Sequence, residues 1–242
     1  MAIVQALGFL AMIAASILLG VRLLRLWGRT RETPELTIGL AFLLAGAAGY
    51  SSFSALAVVR QSGGDPHLIK LLTLLGLGFT AIGALCNGIG SWRIFRVGNR
   101  WPWALVGTLA ALMMIAFVGL ARGTPGVPSD WIWVGLLSAC AIYAWTTAEA
   151  LLLSGMLRRR AALGLADPQI TSRVFQWAIA GGAVVVVILS AFLTRVVLGL
   201  GARPPSLATF QSLCGLGAAG AIWIGFFPPA AYRRWVDARA EA

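Results

Sequence analysis

The sequence predicts an all-α fold: a seven-transmembrane-helix bundle of a bacterial-type inner membrane, N-terminus outside and C-terminus in the cytoplasm. Three observations predict it. The 242 residues are 59% hydrophobic and 11% charged, with a mean hydropathy of +0.86, whereas soluble domains carry about 25% charged residues. The apolar residues fall in seven long runs, and basic residues gather at the ends of those runs on alternate loops.

The runs lie near 2–24, 35–59, 68–92, 102–121, 131–155, 171–199 and 205–226. Each is long enough to cross about 30 Å of hydrocarbon at about 1.5 Å per residue. The loops between them are short, so 1–242 reads as a single transmembrane domain. The first run starts at Met1 without a basic leader or cleavage site, and the expectation is a retained first helix rather than a signal peptide.

Charge sets the orientation. Arg22, Arg25, Arg29 and Arg31 follow the first run, and Arg93, Arg96 and Arg100 the third. Arg158, Arg159, Arg160 and Arg173 follow the fifth, and Arg233, Arg234 and Arg239 the last, fourteen in all. The opposite side has five basic residues: Arg60, Lys70, Arg122, Arg195 and Arg203. The richer side is cytoplasmic by the positive-inside rule. Trp27, Trp92, Trp101, Trp103, Trp131, Trp133 and Trp235 lie beside run ends, where indoles favour the headgroup level. Turn-forming Gly63-Gly64-Asp65-Pro66 and Gly123-Thr124-Pro125-Gly126-Val127-Pro128 mark two outer loops.

Several function classes are set aside. The net charge of +11 is spread over topology-setting run ends, which argues against nucleic-acid binding. Cys86, Cys140 and Cys214 lie in apolar runs without CxxC spacing, so neither a zinc site nor a disulfide framework is suggested. His67 is the only histidine, which excludes bis-histidine haem. Lys70, the only lysine, sits at the start of the third run, whereas a retinal Schiff base needs one in mid-membrane on the last helix. No hydrolase, zincin or nucleotide-binding motif is present. The expectation is a non-enzymatic protein with no cofactor and no metal.

Two stretches echo each other. Thr33-Pro34-Glu35-Leu36-Thr37 opens the second run and Asp167-Pro168-Gln169-Ile170-Thr171 the sixth, both with the grammar of a helix start. Leu74-Leu75-Gly76-Leu77-Gly78 resembles Leu213-Cys214-Gly215-Leu216-Gly217. Two readings stand open: a parallel 3+1+3 repeat with the fourth helix as linker, or convergent capping in a Gly/Leu-rich chain.

Glu149 is the leading candidate for chemistry. It lies nine residues before Arg158, about 13 Å in from the cytoplasmic end. A carboxyl at that depth is costly unless protonated, paired or facing a cavity. Trp145 and Thr146 lie one turn away on its face. Asn87 is the second polar group at membrane depth. Tyr143, Gln176 and Tyr50 complete the candidate ligand or proton site, with Thr147, Gln211 and Ser51, Ser52 and Ser54 as further polar groups. The alternative for each is a hydrogen bond between helices worth about 1 kcal/mol.

The stretch Arg31-Glu32-Thr33-Pro34-Glu35-Leu36-Thr37-Ile38-Gly39-Leu40, together with Arg158-Arg159-Arg160 through Leu163-Gly164-Leu165-Ala166-Asp167-Pro168, resembles a family of uncharacterised seven-helix membrane proteins of proteobacteria. The ending Phe226-Phe227-Pro228-Pro229-Ala230-Ala231-Tyr232-Arg233-Arg234-Trp235 is similar to the exit from the seven-helix sensor modules of some bacterial histidine kinases. There a Pro-Pro pair leads to the catalytic region. Here the chain stops about seven residues after Trp235, and no kinase is expected.

Two functions remain. The first is a receptor-like or partner-binding protein. It takes a lipid or small ligand in the bundle, or packs against a membrane or cytoplasmic protein or another copy of itself. The second is a small-solute secondary transporter with 3+1+3 repeats, as in the SWEET family. Those proteins carry an interior proline in helices one and five, and neither run has one here.

Overall fold

Backbone and side-chain caps mark several of the helix ends. The computed structural model describes residues 2–125, 127, 129–199 and 204–240, with side chains from residue 7 onward except at 237, 239 and 240. Gly126, Pro128 and Arg203, and the side chain of Arg239, lie outside them. The described residues hold helices and no strand. Helix α1 runs Ala2–Thr30. Arg31 ends it in the left-handed region, φ 60°, and its N–H bonds to the Trp27 carbonyl at 2.8 Å.

Helix α2, Thr33–Gln61, ends in a Schellman motif. Gly63 takes φ 68°, and the Gly64 and Gly63 N–H groups reach back to the carbonyls of Val59 and Arg60 at 2.9 and 3.4 Å. Helix α3, Pro66–Phe95, is capped by Asp65, whose carboxylate accepts from the N–H groups of His67 and Leu68. Helix α4 spans Trp101–Arg122 and α5 Trp131–Ala161. A second Schellman motif closes α5, with Gly164 at φ 70° and Leu165 N–H on the Arg160 carbonyl at 2.9 Å. Helix α6, Pro168–Val197, is capped by Asp167, which accepts from Gln169 N–H at 2.7 Å. Helix α7, Pro205–Phe226, and a short α8, Ala230–Ala240, complete the chain.

Seven helices, α1 to α7, are long and apolar enough to cross a membrane. Several outrun the expected spans: α1 reaches Thr30 rather than 24, and α5 reaches Ala161 rather than 155. Hydropathy reports the hydrocarbon, whereas the helical ladder continues until a residue changes backbone region. Helix α8 lies beyond the expected spans altogether.

Two helices widen locally. In α2, Phe42–Gly49 is π-helical, with Tyr50 N–H bonded to the Ala45 carbonyl five residues back. In α6, Leu193–Val197 does the same, and Leu198 N–H reaches Leu193 at 2.9 Å. The two helix starts that resemble each other share one device: Thr37 and Thr171 each donate to the carbonyl four residues before, both at 3.1 Å. Their caps differ. Asp167 caps α6 with its carboxylate, while no side chain caps α2 and Glu35 instead accepts from the Thr30 hydroxyl.

The chain forms two compact units, Ser16–Ile142 and Met1–Ala15 with Tyr143–Ala242, a division that cuts α1 and α5 rather than following a 3+1+3 pattern. In the first, α2 and α3 meet along glycines spaced by seven. A Cβ on Gly76 would stand 3.0 Å from the Phe53 ring, on Gly83 2.6 Å from both the Cβ and backbone N of Ala45, and on Gly90 2.6 Å from Ile38. Gly46 likewise faces Ser16 of α1. Loops are fastened by side chains. Lys70 donates to the carbonyls of Ala121 and Gly123 at 2.6 and 2.7 Å, and Trp92 donates to Asn99 O at 2.9 Å beside Trp103. In the second unit, Gly8 abuts Ser212, Gly181 abuts Thr147, and Gly225 abuts Gln176.

The α2–α3 seam leaves no room for a methyl group. Gly83→Ala is expected to destabilise the protein by about 1–3 kcal/mol. Gly107→Ala, at a position with nothing within 4 Å, should be neutral or gain up to about 1 kcal/mol. Thermal unfolding of the two purified variants distinguishes them, and equal midpoints would refute the tight seam.

Candidate functional site

The candidate residues divide between the two units. Glu149, Thr146, Tyr143 and Gln176 lie in one, and Asn87 and Tyr50 in the other. Helix geometry places Glu149 one turn after Trp145, and the Trp145 indole N–H donates to Glu149 Oε1 at 3.2 Å. The carboxyl is buried, with 8% of the residue exposed, and it is the one charged type between Trp131 and Arg158 on α5. An indole N–H only donates, so Oε1 serves as acceptor whether or not Oε2 carries a proton. The pair can therefore hold a proton, or accept a ligand donor, without breaking its own contact.

Thr146 is buried to 1% exposure, and its hydroxyl donates to the Tyr143 carbonyl at 3.1 Å. That bond belongs to the helix itself, as Thr and Ser hydroxyls in helices commonly arrange. Thr147 differs. Its Oγ1 is buried without a hydrogen-bond partner, and a Cβ on Gly181 would stand 2.5 Å from it. The hydroxyl thus lies against bare α6 backbone. Gln211 joins α7 to α6 by donating to Val187 O at 3.2 Å and Ser190 Oγ at 2.9 Å, the packing role open to every polar group here.

Gln176 is engaged by the end of the chain. Its Nε2 donates to the Tyr232 hydroxyl at 3.1 Å, and that hydroxyl shares a 2.8 Å hydrogen bond with Ser172. One phenol can accept from the amide and donate to the serine at once. Gln169 adds a bond from its Nε2 to the Arg233 carbonyl at 3.1 Å. Val236 is buried, and Tyr232 stacks on Trp235 at 5.6 Å. These contacts dock α8 on the first turns of α6. Nothing in the sequence marks Tyr232, Ser172 and Gln169 as a group. The one signal there is Tyr232-Arg233-Arg234-Trp235 three residues beyond Pro229, in the first turn of a helix that opens after the Pro-Pro pair.

In the other unit, Asn87 is buried on α3 at 6% exposure and Tyr50 is half-buried just after the π-helical stretch of α2. Ser16 and Ser91 have buried hydroxyls without hydrogen-bond partners. Arginines lie over aromatic rings at several helix ends: Arg31 over Trp27 at 5.2 Å, Arg93 over Trp92 at 4.6 Å and Arg158 over Phe175 at 4.3 Å. Among the described residues, no three His, Cys, Asp or Glu side chains come together as a metal site. No protein family, curated protein or solved structure matches the chain.

The Tyr232 contacts make a direct expectation. Tyr232→Phe keeps the ring and removes both hydroxyl bonds, each worth about 1 kcal/mol. Amide hydrogen exchange over α8 should accelerate several-fold while α3 is unchanged. Unaltered exchange over α8 would mean that other contacts hold it.

Proposed function

We propose that this is a non-enzymatic, receptor-like or partner-binding protein of the bacterial inner membrane, N-terminus out and C-terminus in. Seven apolar helices support membrane insertion, and the arginine asymmetry between alternate loops supports the orientation. The observation that carries the reading is the docking of α8 on α6 through Tyr232. In the sensor modules that this chain resembles, the segment after the last helix leads to the signalling region. Here that position holds a short helix displaying Arg233, Arg234 and Trp235, tied to α6 by hydrogen bonds that a small shift of α6 would break or make. The ligand, a lipid or small molecule with a hydrogen-bond donor, meets Glu149 beside Trp145. A membrane or cytoplasmic protein, or a second copy of the chain, reads α8.

A small-solute secondary transporter is the second reading. It draws on one buried polar side chain in each compact unit, Glu149 and Asn87. It also draws on the π-helical stretches of α2 and α6, since interrupted helices often mark functional sites.

Native mass spectrometry of protein gently extracted from its own host membranes tests the first reading. The expected result is a defined mass above one protomer, from a bound small molecule or partner. Glu149→Gln, which keeps an acceptor for Trp145, should lower small-molecule occupancy about tenfold, as for loss of a charged hydrogen bond. Recovery only as a bare, ligand-free protomer would sink the receptor reading and leave the transporter. That alternative predicts proton-dependent flux in liposomes. Flux and pH dependence untouched by Glu149→Gln would remove the carboxyl from proton coupling.

A further inference from the structure

A groove of about 300 Å³ lies at the C-terminal end of α4, formed by Met114, Ile115, Val118, Gly119 and Arg122 of α4 and Trp131 of α5. Its size is at the lower end of ligand-binding clefts, about 300–1,000 Å³. The shape follows from a single close contact. A Cβ on Gly119 would stand 2.6 Å from the Trp131 indole, so the ring lies flush on α4 and walls one side. Met114, Ile115 and Val118 give the floor and are all exposed. From Met114 to Arg122 the groove follows α4 for about 12 Å.

Its two ends differ chemically. One is wholly aliphatic. The other carries the Arg122 guanidinium, and a second cation is fixed nearby. Lys70 is half-buried, and its ammonium bonds to the carbonyls of Ala121 and Gly123, the residues on either side of Arg122. Asp65 accepts from two N–H groups at the start of α3, and neither it nor Asp130 is among the residues that line the groove.

An apolar channel along a helix, an indole at its rim and paired cations at one end match a phospholipid: an acyl chain, an interfacial region and a phosphate. We propose that this groove seats one acyl chain of an anionic phospholipid whose phosphate lies on Arg122, with Lys70 adding its charge. The site is separate from Glu149, and the proposal rests on the membrane-insertion part of the proposed function only. Charge selects an anionic headgroup. A zwitterionic lipid brings a compensating cation to Arg122 and Lys70, whereas phosphatidylglycerol does not.

The test is native mass spectrometry of the full-length protein titrated with phosphatidylglycerol and with phosphatidylethanolamine of the same acyl chains. The wild type should bind the first lipid with a clear preference for phosphatidylglycerol. Arg122→Gln should cut that preference about fivefold, the effect of one basic residue at an anionic surface. Arg122→Lys should keep it. Val118→Trp fills the channel without touching a charge and should weaken both lipids. Equal binding of the two lipids, or a preference that survives Arg122→Gln, overturns the proposal. So does a dimer abolished by Val118→Trp while lipid binding persists, because the groove would then hold a second copy of the chain. Extraction of the protein from membranes by alkaline carbonate would defeat this inference and the membrane assignment together. Retention in the membrane without lipid preference defeats this inference alone.

Discussion

Helices α2 and α3 pack so closely that a methyl group on any of three α3 glycines would crowd α2, and the unit Ser16–Ile142 is built around that approach. Gly76, Gly83 and Gly90 recur every seven residues on α3, opposite Phe53, Ala45 and Ile38 of α2. One series rises along the chain as the other falls, so the helices run antiparallel along a seam with the period of a coiled coil. In lipid, apolar side chains gain little by leaving one hydrocarbon for another, and association depends on close contact and hydrogen bonds. The π-helical stretch of α2 lies in this seam: Ala45 faces Gly83, and Gly46 faces Ser16 of α1. A widened turn there carries contacts to α3 and to α1 within two residues.

The other unit is joined more by polar side chains. Gln211 bonds Val187 and Ser190, Gln176 and Ser172 bond Tyr232, and Gln169 bonds the Arg233 carbonyl. Glu149 shares this unit with all of them. A steric seam has one low-energy register, whereas hydrogen bonds of about 1 kcal/mol each can be exchanged singly. This difference makes the polar unit the better place for an element with two arrangements.

How much of this was legible in the sequence follows from the physics of each feature. The apolar spans are visible because charge is absent over whole segments. Their ends are less so: Gly63 and Gly164 mark left-handed caps by residue type, but Arg31 adopts the same backbone with no such sign. The seven-residue glycine series is written in the sequence yet hidden among 29 glycines, and only its partners on α2 give it meaning. Trp145 and Glu149 were placed together correctly because both lie on one helix, where spacing fixes neighbours. Gln176 was visible as a polar residue, but its partner Tyr232 was not. That contact needs the chain to turn back after Pro229, and no local pattern specifies such a return. Likewise Thr37 and Thr171 make the same back-bond, while the caps beside them differ.

Lys70 gives one end of the first unit a mechanical character. Its ammonium clamps the last carbonyls of α4 from the first turns of α3, just after the turn that joins α2 to α3. The α2–α3 turn and the exit from α4 are thereby one lever, although more than fifty residues of chain separate them. A load applied at either point by a neighbouring molecule is delivered to both, and through α3 to the glycine seam.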